Sequence, residues 1–148
     1  MSLQTQRAAI AEYFQDNWDE SNGKVAYPNR RFTTPSGEIF LVFNLIDYTR
    51  QRASIGSQNW LTRRIGAVQV DVYAPEGTGV DGAREVADLV EALFESNSIT
   101  TSDSQVIRFR TPSTSTIALN DQRASNLEDS FYRLMVTCEY YVDEEKSA

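Results

Sequence analysis

Residues Gly77-Thr78-Gly79-Val80-Asp81-Gly82 reproduce the Gly-x-Gly-x-x-Gly spacing of a dinucleotide-binding fingerprint. They follow an alternating strand, Val68, Val70 and Val72 on one face, and they open an amphipathic helix from about Val80 to Phe94. In such a loop the glycines let the backbone approach a pyrophosphate, which sits on the positive end of the helix. Two features oppose that reading. The helix begins with Asp81 and Glu85, which puts negative charge where the pyrophosphate would lie, and no second βαβ unit follows. The competing reading is mechanical: Pro75 and the glycines turn the chain sharply and fit the helix closely to the sheet.

Other chemistry is excluded by residue type. The sequence has no histidine, which removes histidine acid–base catalysis, Ser-His-Asp and Cys-His nucleophiles and the usual zinc sites. The single cysteine, Cys138, allows no internal disulfide, and its apolar strand setting predicts a buried, inert side chain. Asp71 and Glu139 are a candidate carboxylate pair across strands, and no metal-ligand constellation is apparent. The expectation from these residues is a protein without cofactor or metal.

The elements that would position these residues are legible from periodicity. Leu3, Ile10, Phe14 and Trp18 recur at helical spacing, with Gln6, Arg7, Glu12, Gln15 and Asp16 on the polar side and Ser2 as N-cap. A turn at 19–23 ends this helix, and Pro28 holds Tyr27 extended. Residues 38–48 read as a strand that is apolar on both faces, so both faces should be covered, by helices or by a second subunit. Residues 60–73 form the next strand. A polar, basic segment, 49–59, joins the two as a long hairpin arm that carries Arg50, Arg52, Arg63 and Arg64. The arginines have two readings, an edge that deters strand pairing or a contact arm for a partner or a phosphate. Residues 96–104 read as a polar loop, 106–111 as a short strand before Pro112, and 113–119 as a possible further strand. A loop at 120–129 and a strand at 130–142 follow, and 143–148 is a charged, frayed tail.

A length of 148 residues with 41% hydrophobic and 11% aromatic content suits one domain, residues 1–148, with one core. The net charge of −7 argues against a general nucleic-acid-binding surface. No stretch approaches the roughly 20 apolar residues of a membrane span, so a soluble protein that acts where it is made is expected. The fold class is α+β: a mixed, mostly antiparallel sheet of four to five strands with two helices packed on it and a long β-hairpin arm. Such a sheet carries a surplus of apolar and aromatic surface. Tyr48, Trp60, Phe131, Met135 and Tyr141, with Arg50, Arg52, Arg63 and Arg64, are the candidate partner or subunit interface, because aromatics, Met and Arg are enriched at interfaces.

The whole pattern resembles the tail terminator proteins of long-tailed phages, in particular a lambda-type terminator-like family. The resemblance is carried by the N-terminal helix, by Tyr27-Pro28-Asn29 with Phe32 and Pro35, and by the strand pair within 38–73. It is carried further by Gly66-x-Val68-x-Val70-x-Val72-Tyr73-x-Pro75-x-Gly77-x-Gly79, by Ala83, Ala87-Asp88 and Leu93-Phe94 on the second helix, and by the last strand from Tyr132 to Tyr141. It implies a structural virion protein without enzymatic activity. Copies would form a homo-hexameric ring that caps the tail tube, meets a head-side connector or neck protein and lets genomic DNA pass through its lumen. It implies assembly in the host cytoplasm and a place at the head-proximal end of the tail. The alternatives are a head-side neck or head-completion protein and, from another class, a phosphate- or nucleotide-binding domain that uses Gly77 to Gly82.

Overall fold

The computed structural model describes residues 3–28, 30–33, 35, 37–52, 59–75, 81–102, 104–116 and 131–147. In chain order these give α1 (Leu3–Asn17), a 3₁₀ turn (Glu20–Asn22), β1 (Lys24–Ala26), β2 (Phe40–Arg52) and β3 (Asn59–Pro75). Then come α2 (Asp81–Phe94), β4 (Ser98–Thr100), β5 (Val106–Phe109), β6 (Ser113–Thr116) and β7 (Phe131–Ser147). The Ser2 cap, most of the glycine turn (76–80), the arm tip (53–58), Ile117, Leu119 and the 120–129 loop lie outside the described residues.

Among the described residues the strands form a single curled sheet of seven, ordered β1-β2-β3-β7-β5-β4 with β6 alongside β7. Only β1 and β2 run parallel among the described residues; the other pairings are antiparallel. The α+β class and the two helices are as expected, but four to five strands was too few. The missed strands are short and polar. Ser98-Ile99-Thr100 was read as loop because its pairing with Thr100↔Val106 and Ser98↔Arg108 uses backbone groups that side-chain periodicity does not report.

The alternation of β3 and β7 decides which face is core. Val68, Val70 and Val72 stand opposite Cys138, Val136 and Leu134, and on the other side opposite Leu45, Phe43 and Leu41. All but Leu45 of these are fully buried. Both helices pack on this inner face. Phe14 of α1 stacks on Phe94 of α2 at 5.8 Å and lies 5.2 Å from Phe43. Burying each such ring contributes on the order of 2–3 kcal/mol. Trp18 closes the end of the helix, stacked on Phe14 and donating from Nε1 to the Gly23 carbonyl at 2.9 Å.

One sequence expectation for α1 is reversed. Gln6, placed on the solvent side, is wholly buried, and its Nε2 donates to Glu144 Oε1 at 3.2 Å. The expected frayed tail is also corrected. Residues 143–147 continue β7 and pair with Arg63, Thr62, Leu61, Trp60 and Asn59 of β3. Charged residues tolerate a strand here because this end of the sheet is an arm rather than a two-sided core.

Candidate interaction surface

The chemical candidates resolve into structural roles. Cys138 is buried, donates its thiol hydrogen to the Arg110 carbonyl at 3.1 Å and has its pKa pushed up to about 12 by burial. A thiol held protonated is no nucleophile at neutral pH. Asp71 does not face Glu139. The residues opposite it are Val42 and Met135, while Glu139 stands opposite Ala67. Asp71 is 3% exposed and accepts from Arg133 Nη2 at 2.6 Å and from Gln69 Nε2 at 3.3 Å, so its charge is matched. Among the described residues no group of three acidic or sulfur ligands could hold a metal. Of the fingerprint, only Asp81 and Gly82 are described, and they open α2 with a carboxylate in the first turn.

The outer face of the sheet is the one that no described helix packs against. Register assembles it row by row: Phe40, Tyr73 and Arg133; Val42, Asp71, Met135 and Ser115; Asn44, Gln69, Thr137 and Ser113; Ile46, Ala67 and Glu139. Near the arm follow Ile65 with Tyr141, then Gln51, Arg63 and Asp143. The double-sided apolarity of β2 therefore has unequal cover. Leu41 and Phe43 lie under helices, and Phe40 is shielded by Phe32 and by stacking on Tyr73 at 4.9 Å. Val42 and Ile46 are half-buried, and Tyr48 is 51% exposed.

The arm is a three-stranded sheet, since β7 accompanies the hairpin along its full described length. A bulge between Asp47 and Thr49 increases the local twist at its root. Here α1 holds it. Arg7 Nη2 reaches Asp47 Oδ2 at 2.8 Å, and Gln6 reaches Glu144. Beneath them Tyr140 fills the space over Gly66; its hydroxyl pKa is pushed up to about 12, first by burial and then by Asp47.

The nine candidate interface residues separate on this frame. Arg63, Met135 and Tyr141 lie on the outer face, and Tyr48 is exposed at the bulge. Arg63 forms a two-bonded pair with Asp143 at 2.8 and 3.1 Å and stands over the Tyr141 ring at 4.5 Å. That pair lowers the Asp143 pKa and raises that of Arg63. Arg64 and Trp60 share the other face with Glu144, whose carboxylate lies 3.9 Å from Arg64 Nε. Arg50 stands opposite Arg64 on β2 and is exposed. Arg52 and Phe131 are placed by backbone register alone, opposite Thr62 and Pro75. The four arginines thus do not form one patch: two are neutralised by Asp143 and Glu144, in the segment expected to be a frayed tail. The Gln6–Glu144 contact, 138 residues apart in sequence, had no local signal.

A family model described as phage tail terminator protein matches residues 5–140. The chain belongs to the phage tail terminator family. It is therefore a structural virion component of the phage tail, and membership implies contacts with other tail or head proteins. A solved structure known by a sequence identifier alone aligns over 96% of both chains, with a TM-score of 0.68 and 26% identity. No curated protein sequence matches the chain. Among the described residues no helix is long and apolar enough to cross a membrane.

Proposed function

We propose that copies of this chain close into a homo-hexameric ring that caps the finished tail tube at its head-proximal end. The ring stops tube polymerisation and offers the surface that a head-side connector joins. The observation that carries this reading is the uncovered outer face and arm in a member of the terminator family. Tyr48 and Leu61 are exposed on the arm, Tyr141 and Arg63 lie half-buried near them, and Met135 lies half-buried further along the outer face. Side chains of these types are suited to protein contact. The acidic charge of the chain fits a lumen that passes DNA without holding it.

The test is tube assembly from purified tail tube protein with and without this chain. Added at the start, it should give short capped tubes, with density for the protein at one end. Tubes that grow to the same length, with no protein at either end, would refute the capping role.

A further inference from the structure

β4 ends the sheet and pairs with β5 alone among the described residues. Beside it, α1 leaves a groove of about 730 Å³ that is lined by Ala8, Ala9, Ile99 and Thr100, with Glu12 and Asp16 on the helix side. Toward the other end of the sheet, β1 flanks β2 only at Phe40, Leu41 and Val42. From Phe43 to Arg52 no described strand lies on that side of β2. Exposed strand edges carry N–H and C=O groups that another chain can complete.

We infer that the arm of one copy lays its β2 edge, around Arg50 and Arg52, into the α1–β4 groove of the next copy. This deepens the ring reading above and rests on it. Charge selects the pairing. Arg63 and Arg64 face Asp143 and Glu144 of their own chain, whereas Arg50 is exposed with no described partner. Glu12 and Asp16 are likewise exposed carboxylates with no described partner. Spacing agrees. Glu12 and Asp16 are four residues apart on a helix, about 6 Å along its axis, and Arg50 and Arg52 are two apart on a strand, about 7 Å. Exposed Tyr48, just before them, meets the apolar floor of Ala8, Ala9 and Ile99. The contact joins two different surfaces, so it leaves each copy with one of each to offer, the arrangement that propagates into a ring. It also covers both open edges at once.

Charge reversal tests the contact. Glu12→Arg/Asp16→Arg and Arg50→Glu/Arg52→Glu should each fail to assemble alone, and a 1:1 mixture should assemble again, read by native mass. Arg31→Glu, a single charge reversal on an exposed arginine elsewhere, should assemble as the unmodified chain does. Wild-type assemblies together with unimpaired assembly of either reversed variant would overturn the docking while leaving the ring. As a second readout, Glu12→Cys/Arg50→Cys should give an intermolecular disulfide ladder on oxidation, with buried Cys138 silent. Absence of that ladder overturns the docking. A monomeric wild type whose Glu12→Cys/Arg50→Cys variant still ladders sinks the ring alone; a monomeric wild type whose variant does not ladder sinks both.

Discussion

A Cβ built on Gly66 would stand 2.6 Å from the Tyr140 hydroxyl and 2.7 Å from the Ile46 carbonyl oxygen. Its backbone is not in the left-handed region, so the residue is a glycine for space rather than for conformational freedom. The packing it permits places the Tyr140 ring against Phe109 and under the root of the arm. Gly66→Ala should therefore cost about 1–3 kcal/mol of stability, measured by denaturant unfolding, with the added methyl forcing Tyr140 or β2 to shift. Full retention of stability would show that the site has slack. The glycine was visible in the sequence at the head of the Gly66-x-Val68 pattern. Its reason was not, because Tyr140 arrives from 74 positions later through the β3–β7 register.

At the scale of elements, the arm is held by charges as well as by backbone pairing. The Asp143 carboxyl is kept below its usual range, chiefly by hydrogen bonds from Arg63. A carboxylate with a lowered folded-state pKa contributes stability above its unfolded value of about 3.9, and that contribution is lost as pH falls through the folded value. The exposed Asp19 shifts the same way through the Ser21 N–H. The thermal midpoint should thus fall as pH drops below about 4, and Asp143→Asn should lower it at pH 7 while flattening the fall. An unchanged acid profile in Asp143→Asn would remove the pair from the account. Strands β2, β3 and β7 and both helices were legible because their apolar residues repeat at periods of two or 3.6. The extension of β7 through Asp143-Glu144-Glu145 was not, since its strand geometry comes from β3 beside it. Gln6 was misplaced for a related reason. Helical spacing assigns it to the polar stripe, and only the approach of Glu144 makes burial of an amide acceptable.

Among the described residues, one face of the sheet is covered by helices and the other by none, and Asp143 and Glu144 of β7 neutralise two of the arm's four named arginines. The inner core was readable from sequence almost residue by residue, because burial on folding follows hydrophobic alternation. The proposed interaction surface rests, in the sequence, on residue type alone. Arg63, Met135 and Tyr141 lie on the side that no described helix covers, whereas Arg64 and Trp60 turn to the other, and only register separates them; Tyr48 is exposed at the bulge. Self-assembly through this surface is the central claim, and native mass measurement of the purified protein, paired with electron micrographs of the same sample, tests it most directly. The account predicts closed rings of a single mass, six times that of the chain. A protein that stays strictly monomeric at every concentration, and never appears at the end of a tail tube, would contradict it.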